Sequence, residues 1–477
     1  PYTTLFRSGV LGTTAMTASS IYNAFAGNTH SGDDTQYVDA GKTDLRSRTH
    51  YFGNKGDELA DYSQSWMIYT YLGNMQIKDT TVYVYGTDEA GVNDILSATL
   101  TYKGGEENVK IDPDFPGSFK LKNANHYVGA LRGEEILDYG YAYTGNALSS
   151  VSTTTVYFYG TMFGRASTSR PSSTSMTASA LYNGEYSGGA YSDGKTTDIK
   201  SKTHYVGYKG EELADYTQSF MVVDSAGTVD IKETTIYEYK IDVPTNTRMD
   251  VLASTTTYKS GTLDSKSIQG RTKKASSIYY GDIRGEEMLL YSQTFGNDTD
   301  LVSTTTVYYY GTANKRADES ASVAGNMSLK CSEVYNKDYN GASFVSLLTA
   351  ATDLKSKTFY KGYKGDELVD YAQNFISVSG SVVVKDTIMY SYTNYDVLNY
   401  VTTFKSGTIN VRNIAGLTLK SRLYYVGALR GEELQNLLRT YSGDSGQITA
   451  TNTFYYYGTN HDRASTALAL GPSSVAM

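Results

Sequence analysis

A six-residue phrase centred on glycine recurs six times along the chain, and a repeat that short confines the fold to stacked small units instead of one large core. It reads NKGDEL (54–59), LRGEEI (131–136), YKGEEL (208–213), IRGEEM (283–288), YKGDEL (363–368) and LRGEEL (429–434). Its glycines, Gly56, Gly133, Gly210, Gly285, Gly365 and Gly431, are separated by 77, 77, 75, 80 and 66 residues. The halves alternate in kind. Lys55, Lys209 and Lys364 precede the glycine in the odd ones, and Arg132, Arg284 and Arg430 in the even ones. Odd halves alone continue into an Asp-Ile/Val-Leu segment, from Asp94, Asp250 and Asp396. Even halves alone close on a Gly-Thr-x-x-x-Arg-Ala linker containing Arg165, Arg316 or Arg463. The true unit is therefore a module of two unequal halves. Three modules are expected, at 16–167, 168–318 and 319–465, each opening on a Met-containing strand near Met16, Met176 or Met327. Residues 1–15 are a lead-in, and 466–477 are a linker or the start of a further module, since PSSVAM ending at Met477 repeats PSSTSM ending at Met176.

Each half alternates with period two, the signature of strands. THYVGYKGEELADYTQSF from Thr203 reads as strand, tight turn and strand, a β-hairpin turning near Gly210. A third strand carries a Thr/Tyr phrase such as STTTVYYYG (303–311). In all six copies two tyrosines stand at i and i+2: Tyr83/Tyr85, Tyr157/Tyr159, Tyr237/Tyr239, Tyr308/Tyr310, Tyr390/Tyr392 and Tyr455/Tyr457. They share one face of the sheet, and the residue between them, Val84, Phe158, Glu238, Tyr309, Ser391 or Tyr456, faces the other. The preceding strand places Tyr62, Tyr139, Tyr216, Tyr291, Tyr371 and Leu437 at one matching position, with a second aromatic four residues on. With 46 tyrosines, 14 phenylalanines and one tryptophan, cross-strand tyrosine ladders are expected to replace a greasy core. The fold expected is all-β, a tandem-repeat antiparallel array, elongated or rolled. At about four strands per half, a six-bladed propeller is the alternative.

No catalytic, cofactor or metal residue is assigned. The paired acids of the Gly-Asp/Glu-Glu phrase recur every half-module, so they are read as turn charges that pair with the flanking Lys or Arg, within the hairpin or with a neighbouring subunit. His50, His126 and His204 share one repeat position, which elsewhere holds Ile278, Phe359 or Tyr424, so they are strand side chains and not ligands. His30 and His461 stand alone in loops, and no zinc spacing exists. GNDTD (296–300) and DPD (112–114) read as turns ahead of calcium loops. A single cysteine, Cys331, rules out an internal disulfide framework. The net charge of −8 argues against binding along a nucleic-acid backbone, and no apolar run is long enough for a spanning helix. Asn297 and Asn326 head glycosylation sequons.

Two resemblances add to these readings. Pro1 to Ser8, PYTTLFRS, resembles an in-frame translation of a sequencing adapter on an environmental contig, which makes the lead-in non-native or partial. The run YAYTGNALSSVSTTTVYFYG (141–160) resembles the Tyr-x-Tyr-x-x-Gly-x-Leu hairpins of YD/RHS-type repeat proteins, secreted or surface proteins whose hairpins wind into long sheets or shells. Thr144 stands where that pattern has Asp, and the unit of about 75 residues is some three times longer; the likeness covers about a quarter of each half. It implies an extracellular or cell-surface repeat protein. The function expected is a non-enzymatic, self-assembling structural protein that forms a fibre, tube or sheath. The alternative is a glycan-binding surface protein that stacks sugars on Phe158, Tyr309 and Tyr456, three aromatics that all fall in even halves.

Overall fold

The computed structural model describes residues 2–7, 15–22, 45–68, 75–87, 94–143, 150–169, 174–186, 198–224, 227–242, 247–296, 299–312, 314–319, 327–336, 338, 353–393, 396–427, 430–431, 433–443, 448–457, 461–464 and 466. His30, Asn297, Asn326 and Met477 lie outside them. Two compact units make up the chain, 1–212 and 213–477, and the division falls inside the turn of the third half-module, away from either expected module boundary.

The first unit is an antiparallel meander in which each strand hydrogen-bonds to the next in sequence. It begins with β1 (Tyr2–Arg7), β2 (Met16–Tyr22), β3 (Leu45–Phe52), β4 (Leu59–Ile68), β5 (Met75–Gly86) and β6 (Ile95–Lys103). It continues through β7 (Lys120–Val128), β8 (Ile136–Tyr143), β9 (Val151–Tyr159), β10 (Met176–Asn183) and β11 (Ile199–Val206). A four-residue helix, α1 (Ala166–Ser169), follows β9.

The second unit repeats the pattern. Its strands are β12 (Leu213–Val222), β13 (Val229–Asp242), β14 (Thr247–Lys259), β15 (Lys273–Tyr280), β16 (Met288–Phe295) and β17 (Val302–Tyr310). They run on through β18 (Leu329–Tyr335), β19 (Leu354–Lys361), β20 (Leu368–Val378), β21 (Ser381–Tyr392) and β22 (Leu398–Lys405) to β23 (Leu419–Val426), β24 (Leu434–Ser442) and β25 (Ile448–Phe454). A two-residue pair, β26 (Tyr456–Tyr457) and β27 (Asp462–Arg463), closes it.

Both sheets are open and all-β, as the strand periodicity predicts. The propeller alternative is excluded by the pairings across half-modules: β6 with β7, β14 with β15, β22 with β23, and also β9 with β10 and β17 with β18. Separate blades would leave those edges apart. Odd halves hold five strands and even halves three, because the module-opening strand and the Asp-Ile/Val-Leu strand both belong to the odd half. The third module opens at Leu329, two residues past Met327, so Leu329 and not that methionine stands where Met176 stands.

The tyrosine ladders need one correction. Tyr62 lies directly opposite Val82, Tyr139 opposite Val156 and Tyr291 opposite Val307. Directly paired residues share a face. The aromatics of the preceding strand therefore lie on the face opposite the fixed Tyr pair, one residue out of step with it. That face carries small apolar clusters instead of a continuous ladder: Leu45, Trp66 and Ile77; Tyr62, Val82, Tyr102 and Ile111; and Leu354, Phe375, Val382 and Val384. At roughly 25 cal/mol per Å² of apolar surface buried, such clusters are the main cohesive term of the sheet.

Candidate functional site

The repeated glycine turn comes first because sequence singled it out. Its glycines adopt φ of 80–90°, where an L side chain is strained, and an added Cβ at Gly56, Gly133, Gly210, Gly285 or Gly431 would meet nothing within 4 Å; glycine is required there for its backbone conformation, not for space. The second acid of the phrase then bridges two backbone amides. One Glu135 oxygen accepts from the Gly133 amide at 2.7 Å and the other from Leu96, at the head of β6, at 2.9 Å. Glu58 bridges Gly56 and Met16, Glu212 bridges Gly210 and Met176, and Glu287 bridges Gly285 and Leu252. Glu367 bridges Gly365 and Leu329, and Glu433 bridges Gly431 and Leu398. All six turns are thus tied to the strand before the hairpin.

Both oxygens of each turn glutamate thus accept from main-chain donors. Arg132 donates to the Glu58 carbonyl at 3.1 Å and lies 3.9 Å from Asp57; Arg430 donates to the Glu367 carbonyl at 3.0 Å and lies 3.7 Å from Asp366. Both reach back to the turn of the preceding half-module of the same chain. Arg284 lies 3.5 Å from Asp250. Lys55, Lys209 and Lys364 stand at the exposed turn tips.

The second Tyr of each pair explains why the phrase specifies tyrosine and not phenylalanine. The hairpin strand carries a β-bulge just after the turn, at Asp61, Asp138, Leu290, Asp370 or Asn436, which leaves the preceding carbonyl out of the regular ladder. The phenol fills that gap: Tyr85 donates to the Ala60 carbonyl at 2.8 Å, and Tyr159, Tyr239, Tyr310, Tyr392 and Tyr457 donate to Leu137, Ala214, Leu289, Val369 and Gln435 at 2.5–2.9 Å. Burial pushes the Tyr85 phenol up to about 12 and raises Tyr159, Tyr310 and Tyr392 as well. The threonines beside these tyrosines pair hydroxyl to hydroxyl across strands, Thr81 with Thr101 at 2.9 Å and Thr235 with Thr257 at 2.8 Å.

The even-half linker docks on the same bulge. Arg165 makes a two-pronged contact with Asp138 (2.7 and 3.2 Å) and Arg463 reaches Asn436 at 2.8 Å; in the second module, where the bulge residue is Leu290, Arg316 turns instead to Asp318 at 2.5 Å. Ala166, Ala317 and Ala464, the next residues, are completely buried.

Sequence reasoning missed the buried glutamines. Gln64, Gln218 and Gln373 are wholly enclosed, each on the face of the apolar clusters. Each amide donates to a carbonyl of the loop after the fourth hairpin-side strand, Glu106, Thr262 or Thr408, at 2.8 Å. Each oxygen accepts from Asn108, Asp264 or Asn410 at 2.9–3.0 Å, residues held at φ of 54–61°. The signal was present: Gln recurs two residues after Tyr62, Tyr216 and Tyr371 in every odd half. A buried cation supports the same loop. Arg48 donates to Asn108 Oδ1 at 2.9 Å, and Lys357 donates to Asn410 Oδ1 at 3.0 Å.

The three proposed contact aromatics separate. Phe158 is 0% exposed and Tyr309 7%, so neither offers a ring face to a sugar, whereas Tyr456 is 49% exposed. Burial follows from the module-opening strands β10 and β18, which lie beside Phe158 and Tyr309. Tyr309 belongs to a buried polar cluster: it donates to Glu333 at 3.0 Å, Tyr335 donates to the same carboxylate, and Lys357 pairs with it at 2.6 Å. Cys331 beside it is buried, its thiol pushed up to about 12 by burial and then by Glu333.

The histidines behave as strand aromatics. His50 stacks on Tyr62 at 4.3 Å and His126 on Tyr139 at 4.5 Å, as Phe359 does on Tyr371 at 4.3 Å. Burial, then Arg48, lowers His50 to about 4. Unfolded histidine titrates near 6.5, so the unfolded chain binds the proton first and stability falls as pH drops from about 6.5 toward 4. In thermal melts across that window, His50→Phe is expected to lose less stability than the parent; superimposable profiles would refute this. Asp112 accepts from the Asp114 amide at 3.0 Å, a turn role, whereas Asp300 accepts from the Lys273 amide at the head of β15 at 2.9 Å. Among the described residues no group of acidic, histidine or cysteine side chains is arranged for a metal, and no helix is long and apolar enough to cross a membrane.

Compared with known proteins, the chain matches no family model and no curated protein. Among solved structures it is similar to "Crystal Structure of TcdB2-TccC3-TEV", at 13% identity over 95% of this chain with a TM-score of 0.24. It is also similar to "Crystal Structure of TcdB2-TccC3-Cdc42", at 10% identity over 86% and a TM-score of 0.17, and to a Photorhabdus luminescens Tc holotoxin pore, at 9% identity over 95% and a TM-score of 0.21. The chain spans 22% of the length of each, and scores this low assign it neither a role nor a family.

Proposed function

We propose that this chain is a structural repeat protein of the extracellular space or cell surface that joins with copies of itself into a fibre, tube or sheath. One observation carries the proposal: the polar side chains that recur in every half-module, the bridging glutamates and the capping phenols, are spent on main-chain groups of their own sheet. Residues used this way build a wall, and a reaction centre would need polar groups aimed at a ligand. No catalytic role is proposed. Glycan stacking is not favoured, because two of the three rings it would use are buried. Negative-stain imaging across a concentration series is the test. Extended or tubular particles that lengthen with concentration are expected, and monodisperse particles at every concentration would overturn the proposal.

A further inference from the structure

In the third module the buried cation, the residue opposite it and the loop asparagine bring together an amine, a carboxylate and a primary amide. Lys357 on β19 lies opposite Glu333 on β18, and their side chains are only 4% and 2% exposed. Lys357 Nζ stands 2.6 Å from Glu333 Oε1 and donates to Asn410 Oδ1 at 3.0 Å. The contact with Oε1 is close but poorly directed, so that oxygen takes no hydrogen bond, while Oε2 accepts from the Tyr309 and Tyr335 phenols. The carboxylate is thus fixed by one oxygen and turns the other to the ammonium. The amide carbon of Asn410 is one carbonyl bond beyond Oδ1, which places it at most about 4.2 Å from Nζ. Asn410 is held from behind as well, because its backbone amide, at a φ of 61°, donates to Gln373 Oε1 at 2.9 Å.

The other modules each lack one of these groups at the matching strand positions. In the first, Arg48 lies opposite Ser20 and donates to Asn108 Oδ1, and a guanidinium that stays charged is no nucleophile. In the second, Lys202 is buried in the same way but lies opposite Ala180, so the carboxylate is missing. The asparagine serves the loop in the first and third modules alike. Lysine and acid face each other in the third alone.

We propose that the side chains of Lys357 and Asn410 become joined by an isopeptide bond, made by the folded chain itself with Glu333 as the general base and acid. The Lys357 ammonium gives a proton to Glu333 Oε1, and the lone pair of the resulting amine attacks Asn410 Cγ, forming the new C–N bond as the carbonyl π pair moves onto Oδ1. Both nitrogens are then on one carbon, and the carboxyl passes a proton from the lysine nitrogen to the amide nitrogen. The Cγ–Nδ2 bond breaks with its electron pair on nitrogen, the carbonyl re-forms, and ammonia leaves, taking up the proton first given to Glu333. The products are a secondary amide, an ammonium ion and the restored carboxylate, with no oxidant or co-reactant consumed. Folding supplies the driving arrangement, since it holds amine and amide together in a fixed geometry. The exposed backbone of the Asn410 loop gives ammonia a way out. The bond closes the 53-residue separation between β19 and the loop after β22 into a covalent ring, which urea or pulling would not open. This inference is independent of the assembly reading.

Intact-mass and peptide mass spectrometry of the full-length chain test this. The parent is expected to weigh less than its sequence by one ammonia, and trypsin, blocked at the acylated Lys357, is expected to release a branched peptide joining 356–361 to 406–412. Lys357→Arg installs the residue that the first module carries, keeps a donor for Asn410 and cannot make the bond, so it should show the full sequence mass. Glu333→Gln keeps the side chain's shape and removes the proton acceptor. General acid–base assistance contributes roughly 10²–10⁴-fold, so in freshly synthesised protein sampled over time the branched peptide should form about a hundredfold more slowly. Glu333→Ala, the residue of the second module, is the companion variant should the glutamine chain fail to fold. The full sequence mass in the parent would overturn the proposal. So would an ammonia loss that persists in Lys357→Arg, which marks cyclisation of an asparagine alone. A branched peptide formed at the parental rate in both Glu333 variants would overturn the role given to that carboxylate.

Discussion

Replacing Gln373 by alanine is expected to cost about 3 kcal/mol, the largest single effect among the repeated side chains. The amide is fully enclosed, and its removal leaves the Thr408 carbonyl and the Asn410 amide without their 2.8 and 2.9 Å partners. A buried donor or acceptor left unsatisfied costs roughly 1–3 kcal/mol. Asn410 also sits at a φ of 61°, a conformation that asparagine tolerates but that local contacts must hold. Gly407 fixes the same loop, since a Cβ there would come within 2.2 Å of Thr387 Oγ1. Because repeat arrays open locally, the measurement is site-resolved hydrogen exchange together with urea unfolding. Faster exchange over 406–411 than over the first unit is expected. Gln373→Glu separates the two halves of the clamp, because the carboxylate keeps the acceptor for Asn410 and loses the donor to Thr408. A cost below about 1 kcal/mol for alanine would mean that the loop stands without the clamp.

Glu135→Ala is expected to cost about 2–3 kcal/mol, because hydrogen bonds to a charged group contribute roughly 1.5–3 kcal/mol each and exposure on the turn side discounts one of them. Both oxygens are used, on Gly133 and Leu96, so the change releases the turn and the head of β6 together. Glu135→Gln keeps one acceptor and should recover less than half the loss. Urea unfolding checks the energy, and faster exchange of the Leu96 amide in both variants checks the mechanism. Substituting the neighbouring Glu134, the first acid of the same phrase, should change stability by less than about 0.5 kcal/mol, as is usual for surface sites away from such features. Equal effects at the two positions would mean that charge and not geometry matters there.

The sequence by itself determined the periodic content of this protein. Alternation at period two made the strands legible, and comparing the chain with itself exposed six turns, two kinds of half and the fixed Tyr pair, because those features are local and a strand's geometry follows from neighbours in sequence. Histidine, interchangeable with phenylalanine at one position, was legible as a stacked strand residue for the same reason. What a side chain touches across strands was not legible. A bulge at Lys78 in β5 and at Ser152 in β9 shifts the register against the preceding strand by one residue, which places Tyr62 opposite Val82 and Tyr139 opposite Val156, on the face opposite the Tyr pairs. No local pattern encodes that shift, and with it went the recipient of each phenol and of each bridging glutamate. Burial was equally a tertiary matter. Phe158, Tyr309 and Tyr456 hold one repeat position, yet two are sealed and one is half exposed, because exposure depends on which strand lies alongside.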